Sequence, residues 1–146
     1  MDYTIEIINS INPILNEYGF KKKRLNWFSE NDNIVKIFNI QKSQFGKQIY
    51  LNIGIKIKAL ESKISNTFPG SHVGFRLDHL LRKGILDFEN DLDSEMRCKE
   101  IIILISNNPY GFFTLPGNIE SIKKFINDTG SINMVFLTAK NYLGLD

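Results

Sequence analysis

Residues 33–58 read NIVKIFNIQKSQFGKQIYLNIGIKIK. In the second half Ile49, Leu51, Ile53, Ile55 and Ile57 alternate with Tyr50, Asn52, Gly54, Lys56 and Lys58. That two-residue period predicts a half-buried strand. The first half predicts a partner strand, and residues 43–48, with Phe45-Gly46 inside them, predict the turn between the two. Placing Asn39 opposite Asn52 sets Gln41 against Tyr50, Phe38 against Ile53 and Ile40 against Leu51. Amides then share one face and hydrocarbon the other, and a slip of one residue would scramble both. The same register puts Lys36 among apolar neighbours and Val35 and Ile37 on the amide side. Two remedies exist: cover on both faces at that end of the sheet, or a bulge that shifts the phase.

Around this hairpin the chain predicts helices at both ends. Asp2 can cap a first helix whose Ile8, Ile11, Leu15 and Tyr18 share a face, with Gly19 as its left-handed stop. Pro13 removes an amide inside it, so the sequence predicts a kink, or a break with Asn12 capping a second piece. Residues 20–24 lead into a strand at 25–29, followed by a turn at 30–33. Residues 59–71 are the least patterned, with a Pro69-Gly70 turn. In HVGFRLDHL, Val73, Phe75 and Leu77 alternate with His72, Gly74, Arg76 and Asp78, which predicts a fourth strand. Residues 87–93 read as an acidic, solvated connector.

The run Ile101–Ile105 fits either a helix or a fifth strand. Its length, the Ser94-Glu95 start and the charged Arg97, Lys99 and Glu100 favour a helix. Asn118 caps the next helix and Gly130 stops it; Ser131 is expected to cap the last and Gly144 to close it. The expectation is one α+β domain over residues 1–146: an antiparallel meander sheet of about four strands, with an N-terminal helix and a C-terminal helical segment packed on it.

Composition narrows the function classes. Eighteen basic residues nearly balance 16 acidic ones, so no general attraction to nucleic acid or lipid is implied. The cluster Lys21-Lys22-Lys23-Arg24 is better explained as a charged strand margin than as a nucleic-acid contact. Cys98 is the single cysteine, which excludes an internal disulfide and a cysteine-based zinc site. A lone thiol, no signal-peptide pattern and no long apolar run predict a soluble cytoplasmic protein without a membrane partner.

The sequence contains no phosphate loop, dinucleotide glycine pattern, HExxH or nucleophile elbow, and no cofactor is expected. His72 and His79, seven apart, would point to opposite faces of a strand and so would not pair on a metal. The remaining candidate is the polar sheet face: Asn39, Gln41, Tyr50, Asn52 and Lys56, joined by His72, Arg76 and Asp78 if the fourth strand pairs in phase. Such groups can bond a carboxylate, phosphate, base or peptide. Two plainer readings compete, a water-facing sheet side and amides that bond a covering loop. Asparagine is poor in strands, however, and usually needs a reason to be there.

GFKKK after an amphipathic helix, then FNIQKS, the FG-containing turn, YLNIG and HVGFRL resemble the family named domain of unknown function 4304, over about residues 15–81. Related sequences commonly carry cysteine or aspartate where this chain has Ser71. The resemblance implies a small bacterial α+β protein and supplies no reaction. It also implies gene neighbourhoods containing toxins, hence immunity proteins among its members. Two functions follow as expectations. One is a non-catalytic binding protein, an immunity protein with a toxin as partner. The other is an enzyme or a small-ligand binder for an anion or nucleotide, with His72 as acid or base and Arg76 as anion clamp.

Overall fold

The alternating stretch forms the middle of an antiparallel sheet in a computed structural model that describes residues 2–145. Strands β1 (Lys21–Lys23), β2 (Asn26–Glu30), β3 (Ile34–Lys42), β4 (Ile49–Ile57) and β5 (Val73–Arg76) follow one another across it in chain order. The sheet is a five-stranded meander where the sequence predicts about four. The additional strand is β1, expected only as a lead-in; it pairs with β2, Lys22 opposite Trp27. Its three lysines are exposed and place charge on the sheet's outer edge, where charge opposes edge-to-edge association.

The hairpin register is the predicted one. Asn39 pairs with Asn52, Gln41 with Tyr50, Phe38 with Ile53 and Ile40 with Leu51. Pairing runs unbroken from Ile34↔Ile57 to Lys42↔Ile49, so no bulge shifts the phase. The other remedy holds: Val35, Lys36 and Ile37 are all buried, and that end of the sheet is covered on both sides. Lys36 Nζ donates to the carbonyls of Phe112 and Phe113 at 3.3 and 3.1 Å, which is how an amine is accommodated on the apolar side. Burial pushes its pKa down to about 8.

The apolar face of the sheet is covered by α1 (Ile5–Glu17), α2 (Ser94–Ser106), α3 (Ile119–Thr129) and α4 (Leu137–Leu143). Ile7, Ile11 and Leu15 of α1 join Trp27, Phe38, Leu51, Ile53 and Ile101 in one core. Leu51 and Ile53 are wholly buried, as mid-strand positions on this face should be. Pro13 neither breaks nor ends α1. Asn9 is exposed, so water can serve the carbonyl that Pro13 leaves unpaired, while buried Ile11 and Leu15 hold the helix to the core. Asn12 caps no second piece; its Oδ1 accepts the indole N–H of Trp27 at 2.8 Å. Asp2 Oδ1 accepts the amide of Thr4, the residue that stands at the helix N-cap, and Gly19 follows the helix at φ +88°.

Residues 101–105 are helical, inside α2. Arg97 is buried and donates to the carbonyls of Gly84 and Ile85 and to Asn90 Oδ1, tying down the segment 84–90. Asn118 and Ser121 form a reciprocal capping box at the start of α3, and Gly130 ends it at φ +66°. Ser131 does not cap the last helix: it is buried before a 3-10 turn at Ile132–Met134, and α4 begins at Leu137 with Phe136 as N-cap. Gly144 closes α4 as expected.

Candidate functional site

Alternation in β3, β4 and β5 directs the polar residues to the sheet face opposite the main core. β5 pairs in phase, Arg76 against Asn52 and Gly74 against Gly54. It is shorter than the pattern HVGFRLDHL predicts, stopping at Arg76, and Asp78–Leu80 is a 3-10 turn. His79 therefore lies outside the strand, edge-on to Phe75 at 5.2 Å between ring centres, so strand spacing does not describe the two histidines.

Residues 59–71 cross this face and divide it. The Phe68 ring lies over Gly54 and Gly74; a Cβ on Gly54 would sit 2.9 Å from Ser71 Cβ and 3.0 Å from Phe68 Cδ1, and one on Gly74 3.6 Å from Phe68 Cζ. Glycine at both paired positions lets the loop approach the backbone closely. Beneath the loop, Lys56 is 2% exposed and its Nζ donates to Ser65 Oγ at 2.8 Å. His72 is equally buried, and its Nδ1 accepts the Ile57 amide at 2.7 Å. Burial lowers both pKa values, against the opposing pull of Glu61, whose carboxylate is 3.8 Å from His72 Nε2. A neutral Nδ1 with its lone pair engaged is a structural acceptor. Lys56 and His72 are thus taken off the open face, which corrects their place in the expected site.

Five of the eight expected residues remain together at the other end: Asn39, Gln41, Tyr50, Asn52 and Arg76. The amides bond one another. Asn52 Nδ2 donates to Asn39 Oδ1 at 3.1 Å and Gln41 Oε1 at 3.0 Å, and Asn39 Nδ2 donates to Asn26 Oδ1 at 2.9 Å. Asn26 Oδ1 also accepts the Phe68 amide at 3.0 Å, so the ladder anchors the covering loop. Asn26 does not figure among the expected residues, although the register carried one strand further points to it, since it pairs with Asn39. Phe68 and Pro69 had no sequence signal beyond a turn; with Asn39 and Gln41 they line an open depression of about 410 Å³.

Arg76 differs from the amides. Its guanidinium lies over the Tyr50 ring at 4.3 Å, and its side chain is 52% exposed. Its one carboxylate neighbour among the described residues is Asp78, at 3.8 Å from Nε. Asp78 does not extend the polar face as alternation predicts. The strand has ended, and Asp78 Oδ1 accepts the Leu51 amide at 2.8 Å, closing the sheet end. Burial raises its pKa, against that hydrogen bond and the nearby Arg76 charge. The arrangement can present a planar cation, stacked and half-hydrated, beside an amide ladder. It does not bring His72 to Arg76.

No group of three or more His, Cys, Asp or Glu residues among the described ones is placed to hold a metal ion, and no helix among them is long and apolar enough to cross a membrane. A family model described as "Domain of unknown function (DUF4304)" matches residues 11–115. No curated protein and no solved structure matches the chain. The chain belongs to the DUF4304 family.

Proposed function

We propose that this DUF4304 protein is a non-catalytic binding protein that receives an acidic group of a protein partner at the open end of its polar sheet face. The observation that carries the reading is Arg76: stacked on Tyr50, half exposed, and held by its own chain only through a loose contact to Asp78. A guanidinium in that state is oriented before binding and keeps donors for a carboxylate, which it can engage in a bidentate way. The amide ladder beside it supplies a fixed polar surface, with Asn39 and Gln41 bordering the adjacent depression. The burial of His72 under the loop removes the acid or base that an enzymatic reading would use there. We take the partner to be a bacterial toxin and the protein to be its cytoplasmic immunity protein, the role that the family resemblance suggests.

Arg76→Lys tests the site. The partner is first captured from the native host with the purified chain and identified by mass spectrometry, beginning with the product of the adjacent gene. The variant should unfold at the same denaturant midpoint yet bind at least about tenfold more weakly, the equivalent of one charge-assisted bond of about 1.4 kcal/mol. Equal affinity for both proteins would remove Arg76 from the interface.

A further inference from the structure

At the opposite end of β3 and β4, the β2–β3 turn, the end of β4 and α3 border a cavity of about 570 Å³. Its floor is Ile34, Ile57 and Ile122, each at most 3% exposed, and Ile119 and Tyr142, both partly exposed, stand at its sides. We propose that this cavity binds a small organic cation, a molecule with an apolar body and an ammonium or guanidinium head. The volume lies within the roughly 300–1,000 Å³ of small-molecule sites, and six of the eleven lining residues are apolar or aromatic. The floor sets the body of the ligand; the charges set its head.

Asp32, Lys58 and Glu120 are the charged lining residues. Lys58 is already neutralised by Glu30 at 2.9 Å. Asp32 and Glu120 are exposed and form no ion pair among the described residues. The start of α3 contributes only about half a positive charge, and its capping box engages part of that end. Two full negative charges therefore decide the sign. The half-exposed ring of Tyr142 adds a face on which a cation can rest. None of these residues belongs to the Arg76 surface, so this site stands or falls independently of it.

The test is a titration of the ¹⁵N-labelled full chain with octylammonium, octanoate and 1-octanol at matched ionic strength. Octylammonium should shift the amides of Ile34, Ile57, Ile119 and Glu120 and bind at least about tenfold more tightly than octanoate. Asp32→Asn combined with Glu120→Gln, both at exposed positions, should bring the two probes to within about threefold. Ala59→Trp, at the exposed rim, should abolish the shifts while the thermal midpoint is kept. Octanoate binding as tightly as octylammonium, no probe moving these amides at millimolar concentration, or a charge-neutral variant that retains the full preference would each overturn the proposal.

Discussion

The two ends of the polar sheet face are made by the same three strands in the same phase, yet they behave as different materials. At one end Lys56 and His72 lie beneath residues 59–71 and bond only their own chain. At the other, Gln41 and Arg76 meet solvent and Arg76 rests on Tyr50. The difference begins at one pair of residues, Gly54 and Gly74. Their missing side chains let Phe68 and Ser71 close over the sheet. A polar residue on a strand is therefore not a site residue by virtue of its face alone; what crosses that face decides whether its hydrogen bonds are used internally.

Ile53→Ala, on the shared apolar side, should destabilise both ends together by about 2–5 kcal/mol, the usual cost of a large-to-small change in a packed core. Chemical denaturation measures it, and a loss under about half a kilocalorie would mean that the strand faces have been assigned the wrong way round. Gly54→Ala should act on the covered end, because the new Cβ meets Ser71 and Phe68. A loss of about 1–3 kcal/mol is expected, together with faster proteolysis within residues 59–71. Full resistance to protease would show that the loop does not depend on that close approach.

A smaller effect separates the ends by pH. His72 has its pKa lowered by burial, so the folded state binds fewer protons than the unfolded chain as pH falls below the ordinary value of 6.5. Stability supplied by neutral His72 is present above 6.5 and is lost as pH falls through the lowered value. Protonation also takes the lone pair that accepts the Ile57 amide. As pH falls below 6.5 the protection factor of that amide should drop by roughly two- to tenfold, equivalent to one hydrogen bond of about 0.5–1.5 kcal/mol. The Leu51 amide, bonded to Asp78 instead of an imidazole, should keep its protection. His72→Gln should flatten the difference. Last, Arg76→Ala should change folding stability by only about 0.5 kcal/mol, as expected for an exposed cation on an aromatic ring and a loose surface ion pair. A loss above about 2 kcal/mol would assign Arg76 to the scaffold instead of to binding.

Strand period two was enough to place Asn39 opposite Asn52 and to bury Leu51 and Ile53, because a buried face tolerates no slip. Asn118, Gly19, Gly130 and Gly144 marked helix boundaries, since capping and left-handed geometry are local properties. The apolar run at 101–105 does not fix its own period, and only its charged flanks and the Ser94-Glu95 start distinguish helix from strand. Ser131 misled for the opposite reason: a good capping side chain was used inside the fold, next to Thr129 Oγ1.

What tertiary structure decided was which polar groups remain available. Pro13 stays within α1 because core packing and a bond from Trp27 to Asn12 hold the helix across a missing amide. Arg97 is buried because three acceptors from the 84–90 segment converge on it. His72, Lys56 and Asp78 leave the expected site because a loop without periodicity and an early strand end lie where alternation cannot register them. Periodicity reports the direction of a side chain from its own backbone. Burial depends on what another segment, distant in sequence, brings against it, and a loop such as 59–71 is placed by particular contacts, Asn26 to Phe68 and Gly54 to Ser71, that no repeat in the chain announces.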